Sequence, residues 1–453
     1  VCITFVATFK IKAMIKKLLS LITLCGLSTI SQAQGVNIKF TEYDLPNGLH
    51  VILHEDHTTP SIVVGVLYHV GSKNEDPQRT GFAHFFEHLM FEGSDNIERG
   101  EYMKLVEGNG GVLNANTSFD RTYYFQQMPS NQLELALWME AERMSHLKVD
   151  SIGIETQRKV VKEEKKQSYE NRPYGHLMEQ TFAGAYKVHP YRWMPIGEAQ
   201  YIDQASYSEF YEFYKKYYVP NNATLTIAGD FDPAQAKAWV EKYYGSKPRG
   251  TQNLKPEYEM EPRWTKERRE TYYDKIQLPA LVLAYHQAAQ GTPDGYAMEL
   301  LSKILSDGKS SRMSKQIKDE KEVAIDCGAF SFPSEDPGLM IIYGIANMGK
   351  DQKDLELAMD AVINELLEKG ITEEELAKAK SQIENDFVNQ NQRLMGIAEN
   401  LANYHVYYGN ANLVNAELER YMKVTKADIE RVAKEYLRQD NRLLLYYLPK
   451  RDN

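Results

Sequence analysis

Apolar and polar positions alternate from Ile38 to Tyr43 and again from His50 to Glu55, with Pro46-Asn47-Gly48 between them. That pattern predicts a hairpin. Ser61 to Val70 is a third apolar strand. The period then lengthens to that of a helix at Gly81 to Phe91, Glu101 to Glu107, Asn131 to His146 and Ser151 to Glu170. In the third of these, Leu135, Trp138 and Met139 form the expected apolar stripe. An amphipathic helix from Ser206 to Tyr218, the turn Val219-Pro220-Asn221-Asn222 and a strand from Ala223 to Ala228 complete the first half.

The same helix, loop and strand return near the carboxyl end, as Lys426 to Tyr436, Leu437 to Asn441 and Arg442 to Leu448. Matching Tyr218 to Tyr436 and Leu225 to Leu443 gives an offset of 218 residues, about half the chain, which implies two similar halves. In the second half, strands at Gln277 to Tyr285 and Gly338 to Ile345 flank a helix near Tyr296 to Leu305. Two long helices follow, the first stopped at Gly370 and the second opened by Thr372-Glu373-Glu374-Glu375, a capping box. The stretch from Gly245 through Pro256 to Pro262 is rich in Pro, Gly and charge without apolar periodicity, and reads as a linker. The predicted class is α+β: two tandem, structurally similar domains, each with a mainly antiparallel sheet packed by helices. The expected boundaries are 34–245, a linker at 246–265, and 266–453.

Composition refines this picture at the amino end. Met14-Ile15-Lys16-Lys17, the apolar run Leu18 to Leu27 and Ser31-Gln32-Ala33 have the layout of a secretory signal peptide. The run is too short to span a bilayer. Residues 1–33 are therefore expected to be an upstream extension plus a signal peptide, with the mature chain starting at Gln34, exported across the inner membrane to the periplasm. Of Cys2, Cys25 and Cys327 only the last would survive cleavage, leaving no intramolecular disulfide. A net charge of −10 argues against a nucleic-acid partner.

The candidate chemistry lies in Thr80-Gly81-Phe82-Ala83-His84-Phe85-Phe86-Glu87-His88. On a helix, His84 and His88 stand one turn apart on one face, where both imidazoles reach a single metal ion and Glu87 reaches a metal-bound water. With 11 histidines, chance produces H-x-x-E-H only about 0.02 times in a chain of this composition. A catalytic zinc needs a third protein ligand. The helix Gln157 to Lys166 offers two, of which Glu164 falls on the buried face with Val160 and Val161, and Glu163 on the solvated face with Lys159 and Lys166. Asn114-Ala115-Asn116-Thr117, after paired glycines, reads as an accessible strand edge to which an extended peptide could add. His54, His57, His69, His146 and His189 read as structural.

His84 to His88, Glu164 76 positions beyond His88, and Gly110 to Thr117 together resemble the inverzincin peptidases, the family of pitrilysin, insulin-degrading enzyme and mitochondrial processing peptidase, in its short, half-size branch. The resemblance implies His84, His88 and Glu164 as ligands of one Zn2+ per chain and Glu87 as general base. It also implies a substrate-aligning strand at Asn114, Ala115, Asn116 and Thr117, and pairing with a like or related chain to enclose a chamber. Two positions depart from the family. Gln157 stands where relatives carry a glutamate behind the metal, and Arg312, in a segment resembling the family's substrate-holding arginine, lacks its companion tyrosine in Glu322 to Asp326. The expected function is a secreted zinc endopeptidase acting on peptides or unfolded segments. A non-catalytic scaffold subunit, and a subunit active only with an arginine- and tyrosine-bearing partner, are the alternatives.

Overall fold

The computed structural model describes residues 37–255 and 257–450. The expected extension and signal segment lie outside them. In the first half the elements run β1 (Thr41–Asp44), β2 (His50–Glu55), β3 (Ser61–Tyr68), α1 (Phe82–Leu89), α2 (Glu101–Gly108), β4 (Val112–Thr117), β5 (Thr122–Pro129), α3 (Leu133–Ser145), α4 (Ser151–Lys165), α5 (Leu177–Ala185), α6 (Ala199–Gln204), α7 (Tyr207–Tyr217), β6 (Ala223–Gly229) and α8 (Pro233–Tyr244). The second half runs β7 (Arg268–Asp274), β8 (Ala280–His286), α9 (Pro293–Ser306), β9 (Ala324–Phe332), β10 (Leu339–Ala346), α10 (Gln352–Lys369), α11 (Glu373–Asn391), α12 (Leu394–Tyr408), α13 (Glu417–Lys423), α14 (Lys426–Tyr436) and β11 (Arg442–Pro449).

The sheets have the orders β1-β2-β6-β3-β5-β4 and β7-β11-β8-β10-β9. Each is antiparallel apart from one parallel pair, β2 with β6 and β7 with β11. Matching strands occupy matching places: Val66 lies between Leu225 and Tyr124 in the first sheet, and Leu283 between Leu444 and Ile342 in the second. No helix among the described residues is long and apolar enough to cross a membrane.

The repeat is in register at 219 residues rather than 218. Asn222 donates its side-chain amide to the carbonyls of Tyr217 and His69, and Asn441 donates in the same way to those of Tyr436 and His286. The adjacent pair Tyr217-Tyr218 offers two alignments, and the carboxamide geometry selects the first. The expected stripe on α3 is also rotated. Leu133, Ala136, Leu137 and Met139 are buried there, whereas Leu135 and Trp138 are half-buried. The inward face also carries a fully buried ion pair, Arg143 Nε to Glu140 Oε2 at 2.7 Å, which a reading of apolar residues alone passes over.

Each sheet packs one face on helices of its own half. In the first, Leu49, Val51, Val64, Val66 and Leu225 meet Phe82, Phe85, Phe86, Leu89 and Phe210. The opposite faces are covered by exchange. Val63, Leu67 and Tyr123 of the first sheet pack on Ala398 and Ala402 of α12, while Val282, Ala284, Leu443 and Leu445 of the second pack with Phe182 and Ala185 of α5. The two halves are therefore interlocked well outside the 246–265 segment.

Candidate active site

Helix α1 opens without a side-chain cap of its own. Gly81, at φ +96°, takes the left-handed conformation that turns the chain into the helix, beside Gly197. The free amides are satisfied from a distance: Gly81 N donates to Glu75 Oε2 at 2.9 Å and Ala83 N to Glu75 Oε1 at 2.8 Å. The indole of Trp193 adds a third donor to Glu75 Oε2 at 3.1 Å. At the other end the Tyr124 hydroxyl donates to the Phe86 carbonyl at 3.1 Å, tying α1 to β5. With Phe82, Phe85, Phe86 and Leu89 buried in the core, helical periodicity sends His84, Glu87 and His88 to the opposite side.

Facing them is α4, whose amino end is capped by Asp150 accepting from Gly153 N at 2.8 Å. Glu164, near its carboxyl end, lies between the imidazoles, with Oε1 3.6 Å from His84 Nε2 and Oε2 3.1 Å from His88 Nε2. The two imidazoles beside it hold the Glu164 carboxyl far below the usual range. Glu163 points outward and accepts from Gln167 at 3.1 Å. One donor atom from each of His84, His88 and Glu164 lies within 4.8 Å of the others. Zinc with arms of 2.0–2.1 Å requires tetrahedral edges of about 3.4 Å, so the two measured separations fit that ion. The carboxylate side is open: the Glu164 side chain is 38% exposed against 11% for His84.

The general-base candidate is held in place. The Thr117 hydroxyl on β4 donates to Glu87 Oε2 at 2.6 Å, and among the described residues no donor occupies Oε1. Thr117 thus contacts Glu87, a contact that its place in a strand pattern does not signal. Beside it, Asn114 Oδ1 accepts from Ala115 N at 2.9 Å and Asn116 accepts from Arg121. β4 ends the sheet order, so one backbone edge is left without a strand.

Gln157, expected behind the metal, donates to Glu92 Oε1 at 2.6 Å instead of contacting a candidate ligand. Glu92 pairs with Arg99 at 3.0 Å, and Arg99 with Asp150 at 2.9 Å. This relay ties the segment after α1 to the start and middle of α4. A glutamate at 157 would set two carboxylates against each other. Arg312 is not brought to the site. Its Nε and one Nη donate to Glu375 at 2.7 and 2.8 Å, and the same Nη to the Gly370 carbonyl at 2.8 Å, fastening the junction of α10 and α11. At the corresponding place in the second half, α9 buries Leu300, Leu301, Ile304 and Leu305, and among the described residues no cluster of three metal-type donors gathers there. Sequence reasoning missed Glu75 and Glu92. Glu92 follows His88 by one helical turn, a usable signal, whereas nothing in the pattern marks Glu75.

Comparison with known proteins gives a consistent picture. Residues 50–192 match the family model described as Insulinase (Peptidase family M16), and residues 204–383 match that of the Peptidase M16 inactive domain. The zinc protease PqqE of Helicobacter pylori is 30% identical over 96% of this chain and 99% of its own length. The uncharacterized zinc protease YmxG of Bacillus subtilis is 26% identical over 75% and 82%. Among solved structures, a protease from Helicobacter pylori matches at TM-score 0.86 and 30% identity, covering 91% of this chain and all of that one. The periplasmic protease PqqL of Escherichia coli shares the fold at TM-score 0.72 and 19% identity, over 90% of this chain and 47% of PqqL.

Proposed function

Since the chain belongs to peptidase family M16, we propose that it is a zinc-dependent endopeptidase with His84, His88 and Glu164 as metal ligands and Glu87 as general base. The convergence of the two imidazoles and one carboxylate, with Glu87 on the same helical face, carries this reading. Bound zinc supplies Lewis acidity and lowers the pKa of a water toward neutrality. Glu87, steadied through Oε2 by Thr117, accepts at Oε1 the proton of the attacking water. It then returns that proton to the departing amine as the peptide C–N bond breaks, the new C–O bond having formed when the water attacked. The open edge of β4 aligns an extended substrate through its backbone, which favours breadth over strict side-chain selection. Asn114 and Asn116, already bonded within the hairpin, shape that edge, and Ala115 keeps it low.

In this reading the first half is catalytic and the second is not. The chain is secreted to the periplasm after loss of its amino-terminal signal, and it works as a homodimer or with a related chain. The engagement of Arg312 by Glu375 favours the version in which a partner chain supplies the substrate-holding arginine. The decisive experiment is hydrolysis of a quenched fluorescent peptide library by residues 34–453, with metal analysis, beside Glu87→Gln. The same zinc content in both and cleavage by the parent alone is the expected result, with a rate loss of at least about 10²-fold. Zinc without cleavage in either would move the assignment to a scaffold or partner-dependent subunit, and absence of zinc would overturn the site.

A further inference from the structure

A second group of metal-type donors lies on the far face of the first sheet. The alternation that sends Val51 and Leu53 of β2, and Leu49 just before it, into the core leaves His50 on the side covered by α12. Asp44 of β1 is its direct cross-strand neighbour, and Glu42 follows two residues away on the same face. Asp44 Oδ1 lies 2.8 Å from His50 Nδ1, and Glu42 Oε2 lies 3.3 Å from His50 Nε2. A neutral imidazole carries one N–H, so donation to Asp44 turns the Nε2 lone pair toward the Glu42 carboxylate. His405 of α12 lays its ring over that of His50, with centroids 3.4 Å apart and planes 3° from parallel. Among the described residues neither ring nitrogen of His405 has a hydrogen-bond partner, and no lysine or arginine is ion-paired with Glu42 or Asp44. Donor atoms of Glu42, His50 and His405 all fall within 4.8 Å of one another. Three electron-pair donors therefore converge without a cation to hold them.

We infer that Glu42, His50 and His405 form a second site for a divalent transition-metal ion, distinct from the one at His84, His88 and Glu164. The two lie on opposite faces of the sheet, and β2 and β4 are four strands, roughly 19 Å, apart. Two imidazoles and a carboxylate suit zinc, copper(II) or nickel(II). Asp44 fixes the His50 tautomer that exposes Nε2, the arrangement common behind metal-bound histidines. A metal cannot lie in both stacked ring planes, so binding turns one ring about its soft terminal torsion and parts the stack. The bound ion would fasten the first hairpin to a helix from the other half.

Equilibrium dialysis of the full chain at micromolar free zinc, followed by metal analysis, tests this. Two zinc ions per chain are expected in the parent, one in His405→Ala, one in His84→Ala and none in the double variant. Glu42→Gln, at a partly exposed position, should weaken the second zinc at least tenfold while keeping the first. A parent whose single zinc is lost in His84→Ala, a His405→Ala variant that keeps the zinc content of the parent, or an unchanged affinity in Glu42→Gln would overturn the inference. Loss of the site proposed for catalysis would show separately, in the His84→Ala arm.

Discussion

The contact between Thr117 and Glu87 is the most economical probe of the chemistry at the level of single residues. Thr117→Val keeps the shape of β4 and removes only the hydroxyl that donates to Glu87 Oε2. A hydrogen bond to a charged group contributes about 1.5–3 kcal/mol. The expected outcome is a kcat at least tenfold lower, with zinc content and KM unchanged, measured by steady-state peptide hydrolysis and metal analysis on the same preparation. Ligand substitution would lose zinc instead, so the two classes of residue separate by readout. Gln157 illustrates how a departure from a family pattern is absorbed: its amide donates to Glu92, and the polarity of both partners is matched.

Among the elements, α1 carries the site and depends on a carboxylate that is remote in sequence. Glu75 satisfies the amides of Gly81 and Ala83 and receives the Trp193 indole while itself almost fully buried. Glu75→Ala strands three donors, and a lost cap alone costs about 1–2 kcal/mol. Thermal unfolding should show a lower Tm, with zinc affinity falling because the turn bearing His84 frays. Legibility from the sequence follows the same division. The helix at Phe82–Leu89, the strands around Ser61 and Ala223 and the helices opened by Ser206 and Thr372 announce themselves through period and caps. So do the two histidines, because their spacing is local. What stayed hidden is set by pairing across the chain. Strand β9 is part apolar and part exposed at a sheet edge. Helix α5 is short and finds its apolar partner in the other half. The buried pair of Glu140 and Arg143 looks in sequence like an ordinary charged face.

Across the whole molecule, the halves meet through buried charge as well as through exchanged helices. Lys73, 4% exposed, lies 2.8 Å from Asp120, 2.6 Å from Glu335 and 3.4 Å from Asp336. Burial alone would raise the Asp336 carboxyl, but hydrogen bonds with His189 and Tyr258 and the Lys73 charge outweigh it and hold it down to about 2. An unfolded aspartate titrates near ~3.9. Because the folded value is the lower one, the stabilisation is complete above about pH 4 and drains away as pH falls toward 2, a term on the order of 2 kcal/mol. Asp336→Asn should flatten the fall in stability across that window, read from urea unfolding at stepped pH values. The exchange of α5 and α12 also bears on how the chain is made. Until residue 408 has been synthesised, Val63, Leu67 and Tyr123 have no helix to cover them. The first sheet therefore waits, half-clothed, through most of translation, and a nascent chain stalled before that point presents a sticky surface for a chaperone to shield.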